Sequence, residues 1–421
     1  MDRKHFVLEK AKNLLGSQLE ETLQVVREDR AMLRGWQEPA HVRSVLRRSI
    51  NEQQPAHAHE SGSVATVTMQ ETEFGRTAGE PDRGQQRESL GQILEAGCWA
   101  MEKMMGTAQP EFTPAERLGL ECVLSLYARP SLLLTNNHLG AVPEMWNCLA
   151  EQREDVEMVQ RGVGRLELMG HPEWNWAGTA FLINETTLMT TRRTAEIFCE
   201  MQGQKTWTFR PGITAWMDYN CEPSRQASAR CKVRGVIGCH ERYDLALLEV
   251  EPSADACPLV LSSISPAEMC GRPVYMVSFP VCDARRSEPE TITRIFRDVY
   301  SCKRVNPGRI INNFRFGNVE LMNHDCCTIG QTSGGCIFDM QTHQVVGMQM
   351  TSRYLECGTC VPVSVLRDDP MFTSAGVTFA STDSGQLGMM TQQLERLSRT
   401  RYWQDLCKTI SDFYQKACPT K

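Results

Sequence analysis

The chain has 421 residues, a net charge of −6, 41% hydrophobic residues and 23% charged residues. This is the composition of a folded globular protein, so a disordered or collagen-like chain is excluded, and the charge argues against a basic nucleic-acid-binding surface. No apolar run approaches bilayer-spanning length, so neither nucleic acid nor a membrane is expected as a partner.

Residues 1–50 form the first segment. Within it, Leu8, Ala11, Leu15, Leu19 and Val26 recur at helical spacing, flanked by Leu14, Leu23 and Leu33, and predict an amphipathic helix. Such a helix packs on its own domain or recruits a protein partner. Residues 51–87 are rich in Gln, Glu, Gly, Pro, Ser and His, bury little area, and read as a flexible polar linker. His57 and His59 lie in that stretch and are read as solvated. Residues 88–159 return to helical and mixed patterning. Leu90, Ile93, Leu94 and Trp99 predict one helix, and Pro114 suits the first turn of a second, running through Leu118, Val123 and Leu126. The run RPSLLLTNNHL from Arg129 reads as a strand and turn.

Between residues 160 and 370 the texture changes. Short apolar runs (GRLEL, GTAFLI, TWTFRP, KVRGVIG, LALLEV, VYMVSF, GCIFD, VVGMQM) alternate with Gly, Pro, Asn and Asp clusters. Many short strands at such spacing predict an antiparallel sandwich or barrel. Residues 371–421 read as a loop and a C-terminal helix carrying Leu394, Leu397, Trp403, Leu406, Ile410 and Phe413.

There are 18 cysteines. The N-terminus, MDRKHFVLEKAKNLL, lacks the apolar stretch of a secretory signal, so a cytoplasmic location with most cysteines as thiols is the expectation. Cys122, Cys199, Cys270 and Cys336 sit in apolar runs, where cysteine acts as a small hydrophobe. The pair Cys357 and Cys360 makes a lone CxxC. Cys326 and Cys327 complete a zinc set only if the fold brings them near. No P-loop, dinucleotide fingerprint or HExxH occurs, and no metal or cofactor is expected.

Three blocks carry the chemistry. Gly330-Gln331-Thr332-Ser333-Gly334-Gly335 precedes an apolar strand, so a tight turn can expose the Ser333 hydroxyl while its N–H groups face an oxyanion. Asp244 enters the apolar strand LALLEV, and a carboxylate entering such a strand needs a partner. GTAFLI from Gly178 is followed by Leu188-Met189-Thr190-Thr191-Arg192-Arg193. In this order the blocks resemble the trypsin-like serine peptidases of the chymotrypsin fold, closest to bacterial members without a secretory framework. The resemblance covers about 200 residues and extends to Gly271-Arg272-Pro273-Val274-Tyr275, Pro307-Gly308-Arg309, His324-Asp325 and Val345-Val346-Gly347.

The resemblance implies a mainly β domain of two six-stranded antiparallel barrels over 160–370, with added N-terminal helical segments and a C-terminal helix. It aligns Arg193, Asp244 and Ser333 with the catalytic triad, Gln331 and Ser333 with the oxyanion hole, and Thr328 and Gln349 with the substrate pocket. Three positions depart from the family pattern. Arg193 stands where the family has its histidine, Gln331 where it has glycine, and Gln349 where related bacterial enzymes often carry a histidine. A guanidinium has no acceptor lone pair and cannot take the serine proton; an ion pair with Asp244 is expected instead. His240 and His324 resemble residues of relatives that also keep the catalytic histidine, so neither is read as a substitute. The first functional expectation is a catalytically impaired homologue that binds a peptide or protein ligand. The alternative is an active intracellular serine endopeptidase working through a Ser333 acyl-enzyme.

Overall fold

The computed structural model describes residues 8, 11–12, 14–33, 90–107, 109–203, 206–221, 230–281, 299–328, 332–352 and 357–380. The linker expected over 51–87, with His57 and His59, and the helix expected after residue 386 lie outside the described residues.

Three helices make the N-terminal unit: α1 (Leu19–Leu33), α2 (Leu90–Gly106) and α3 (Pro114–Val123). α3 starts at a reciprocal cap. The Thr113 hydroxyl accepts from the Glu116 N–H, the Glu116 carboxylate accepts from the Thr113 N–H, and Pro114 fills the first turn, where an N–H would lack a partner. Ala11, Leu15, Leu23 and Val26 pack on Leu94, Cys98, Met101, Leu120 and Val123, so the amphipathic face of the first segment is buried within the chain. Trp99 departs from the expected apolar face. It is 52% exposed, while Ile93, Leu94 and Met101 carry the contact.

α2 and α3 approach backbone to backbone. A Cβ on Gly119 would stand 2.2 Å from the Gly97 nitrogen and 2.5 Å from the Ile93 oxygen. Neither atom can yield without separating the helices, so Gly119→Ala is expected to cost about 2 kcal/mol of stability in urea unfolding. Gly106→Ala, with open space around its Cβ, is the control and should stay within about 0.5 kcal/mol of the parent.

The run from Arg129 forms a hairpin, β1 (Leu132–Thr135) and β2 (His138–Leu139). Its two-residue turn, Asn136 and Asn137, has φ of 54° and 63°, a left-handed pair that asparagine tolerates. β1 adds to the edge of β12 (Arg304–Phe316), with Leu132 opposite Val305. Arg129 pairs with Asp325 at 2.6 Å and lies over the Trp146 ring, fastening the helical unit to the domain that follows. Two short helices, α4 (Asn147–Glu151) and α5 (Arg153–Val159), complete the connection.

The first barrel comprises β3 (Val163–Met169), β4 (Trp176–Asn184), β5 (Thr187–Thr190), β8 (Thr214–Asp218), β9 (Cys231–Cys239) and β10 (Ala246–Val250), closed in the order β10-β5-β4-β3-β8-β9. Helix α6 (Arg192–Phe198) and the hairpin β6 (Cys199–Gln202) and β7 (Thr206–Phe209) lie between β5 and β8. The second barrel follows helix α7 (Pro266–Met269). It comprises β11 (Pro273–Ser278), β12, β13 (Val319–His324), β14 (Cys336–Asp339), β15 (Val345–Ser352) and β16 (Gly358–Pro362), in the order β11-β14-β15-β16-β13-β12, closed by the pairing of β12 with β11. Helix α8 (Pro370–Ser374) then packs Phe372 into the core. This is the double six-stranded, mainly β architecture expected from the sequence. Closure removes free sheet edges and lets alternate side chains fill each interior.

Of the cysteines read as small hydrophobes, Cys122, Cys199 and Cys336 are buried, but Cys270 is exposed. It ends α7 just before the turn at Gly271, so it lies at the rim and not within an apolar run of strand. Lys303 is fully buried where the barrels meet. Its ammonium donates to the Gln160 backbone oxygen at 3.1 Å, the Gln160 side-chain oxygen at 3.0 Å and the Tyr219 oxygen at 2.6 Å.

Candidate functional site

Arg193 and Asp244 are brought together by strand register. β10 pairs with β5 with Ala246 opposite Thr190, so the residues before β10 run beside the start of α6. Thr191 caps α6, its hydroxyl accepting from the Thr194 N–H. The N–H of Arg193 lies in the first turn, where helix geometry provides no partner, and it donates to Asp244 Oδ1 at 3.0 Å. The Arg193 Nε–H donates to Asp244 Oδ2 at 2.7 Å. Both carboxylate oxygens are thus held by one residue. The Asp244 side chain is 14% exposed and that of Arg193 is 60% exposed.

Ser333 lies on the turn entering β14, and that turn is clamped between the barrels. The Thr179 N–H of β4 donates to the Ser333 oxygen at 3.2 Å, and the Gly334 N–H donates to the Gln349 oxygen of β15 at 2.8 Å. Gly334 has φ of +82°, and a Cβ there would fall 2.0 Å from the Thr179 oxygen. Only glycine suits this position, both for its left-handed backbone and for the closeness of β4.

The Ser333 hydroxyl donates to the Met350 carbonyl oxygen at 3.0 Å. Arg193 Nη2 donates to the same oxygen at 3.2 Å. Arg193, Asp244 and Ser333 therefore do converge at the barrel junction, but through a backbone acceptor and not through a side chain that can carry a proton. Met350 had no signal in the sequence, because its contribution is a main-chain oxygen placed by the closure of β15 onto β14 and β16.

Among the described residues, the histidines bond elsewhere. His138 contacts Glu157, His171 accepts from the Glu173 and Trp174 N–H groups, and His343 contacts the Tyr275 hydroxyl. His240 Nδ1 accepts from the N–H groups of Arg242 and Tyr243, which leaves Nε2 as the donor to Asp369 at 3.0 Å. His324 is fully buried against Gln349 Oε1. Burial pushes its pKa below the usual histidine value, opposed by the Gln349 hydrogen bond and the Asp325 charge. Cys239, which feels the charges of Arg192, Glu196 and Asp244, is pushed up to about 11, chiefly by burial, so it is a thiol at neutral pH.

The two residues expected to line the substrate pocket are both buried. Gln349 has no exposed surface; its Oε1 meets His324 and its Nε2 donates to the Thr351 oxygen at 2.8 Å, so both ends of the amide are engaged. Thr328 is 8% exposed. Gln331, the other oxyanion-hole expectation, lies outside the described residues. The cysteine set weighed for zinc, Cys326, Cys327, Cys357 and Cys360, forms no cluster of three potential ligands among the described residues. The cluster that does form is Glu167, Asp218 and Cys221. Its charge is met by Arg165, 2.5 Å from Glu167, and by Arg230, 3.5 Å from Asp218, which leaves little attraction for a cation.

Residues 178–348 match the trypsin-like peptidase domain. The matched segment runs from β4 to the middle of β15 and contains Arg193, Asp244 and Ser333. The fold is trypsin-like. Among solved structures, the chain is similar to the HtrA-type protease AlgW with decapeptide, at 13% identity and a TM-score of 0.34, covering 52% of this chain and 64% of that one. It is also similar to Rv3671c from M. tuberculosis H37Rv, a serine-to-alanine mutant in its inactive form, at 16% identity and a TM-score of 0.35, covering 55% of this chain and 92% of that one. The chain thus spans less than two thirds of the AlgW chain. No curated protein matches it.

Proposed function

We propose that this trypsin-like domain is an impaired serine peptidase homologue that acts by binding a peptide or protein segment in the cleft between its barrels. The observation carrying this reading is the hydrogen bond from the Ser333 hydroxyl to the Met350 oxygen, beside a guanidinium that occupies Asp244. Acyl transfer needs a base that takes the serine proton and returns it to the leaving amine. A backbone carbonyl does neither at neutral pH, and a guanidinium has no lone pair to offer. Asp244, which would orient an imidazole in a working triad, spends its oxygens on Arg193.

A fluorophosphonate probe tests the reading. The full chain should label no faster than Ser333→Ala, and Arg193→His should raise labelling at Ser333. Rapid labelling of the parent chain, abolished by Ser333→Ala, would establish the alternative, an active endopeptidase, and end this proposal.

A further inference from the structure

Asp244 and Met350 take only part of what Arg193 can donate. Nε–H is used by Asp244 and one Nη2 N–H by Met350, while the Nη1 donors and the second Nη2 N–H meet no partner among the described residues. The side chain is 60% exposed, so these donors are reachable from solvent. They lie beside Ser333, because Arg193 Nη2 and Ser333 Oγ both come within 3.2 Å of one carbonyl oxygen. The Ser333 N–H also donates to no group among the described residues.

Resting on the binding reading above, we infer that the cleft selects ligands ending in a carboxylate: the free C-terminus of a peptide, seated between Ser333 and Arg193. In a peptidase cleft the carbonyl under attack lies against the serine oxygen, and the leaving nitrogen lies on the side of the residue that protonates it. A chain that ends at that carbonyl puts a carboxylate oxygen in place of the nitrogen. Here that side holds a fixed positive charge with unused, roughly coplanar N–H groups, the geometry that takes a carboxylate by two parallel hydrogen bonds. A continuous chain would instead bring an amide N–H against guanidinium N–H groups, donor against donor. The same replacement that removes the base thus favours a product-like end over a scissile bond.

The test uses the full-length chain and an array of random decapeptides, each present as C-terminal free acid and as C-terminal amide, with and without internal Asp and Glu. Free acids are expected to bind about tenfold tighter than their amides. Arg193→Gln should bring the acid-to-amide affinity ratio to about one, and Arg193→Lys should retain part of the preference. Equal affinity for acid and amide forms, or a preference that survives Arg193→Gln, overturns this inference and leaves the binding reading standing. Binding of amides that requires internal Asp or Glu also overturns it, since the carboxylate recognised is then a side chain. No binding to any peptide, with Arg193→Gln and parent melting alike, overturns both. Cleavage of the array peptides overturns the binding reading itself.

Discussion

Gly334→Ala is expected to destabilise the double barrel by about 3–5 kcal/mol, from left-handed strain together with overpacking. The substituted Cβ would sit 2.0 Å from the Thr179 oxygen and 2.9 Å from Thr190 Oγ1. Those two atoms already share a hydrogen bond of 2.7 Å, so neither can move without breaking it. The turn cannot swing away either, because the Thr179 N–H holds the Ser333 oxygen and the Gln349 oxygen holds the Gly334 N–H. Gly235→Ala in β9, with nothing within 4 Å of its Cβ, is the matched control and should change stability by less than about 0.5 kcal/mol. Urea unfolding followed by tryptophan fluorescence reads both. Equal midpoints would show that the turn is held far less tightly than its contacts indicate.

Lys303→Met should cost about 3–5 kcal/mol, the range for removing one partner of a buried charged network. The ammonium is fully buried and ties Gln160, just before β3, and Tyr219, just after β8, to the residue that enters β12. Methionine matches the stem in length but leaves two backbone oxygens and the Gln160 amide oxygen without this donor in a place closed to water. Because these groups belong to different barrels, the loss should lower the unfolding midpoint of the whole double barrel. Lys103→Met gives the comparison. Its ion pair with Glu116 is 44% exposed on the lysine side, and removing such a pair costs about 0–1 kcal/mol. If the two lysine variants melt together, Lys303 is not the tie between the barrels.

The apolar runs of the β domain were legible because a strand with two buried faces, or one, needs Val, Ile, Leu and Phe in short blocks, and β4, β10, β11 and β15 supply them. β12 was not legible as a strand. Its second half exposes Ile311, Arg315 and Phe316 and carries Asn312 and Asn313, so the alternation that marks a half-buried strand is lost. β13 interleaves Glu320, Asn323 and His324 with its apolar residues, and β16 starts on a glycine and ends on a proline, so neither makes an apolar run that stands out, and barrel closure holds them. In the helical unit, spacing located the apolar face of α2 but misassigned Trp99, because α2 meets α3 at Gly97, and Trp99, two residues on, falls on the opposite side, toward solvent.

The residue types at the candidate site were fully determined by the sequence: an arginine, an aspartate and a serine, spaced through a barrel-forming chain, with the proton chemistry that guanidinium denies. Their order and side-chain chemistry needed no coordinates. Tertiary structure alone decided where the serine proton points, what else the arginine touches, and that Gln349 spends its amide on His324 and Thr351. Those outcomes depend on main-chain oxygens, above all that of Met350. A backbone carbonyl is the same in every residue, so no side-chain pattern can announce which one the closing of two barrels will bring to the site.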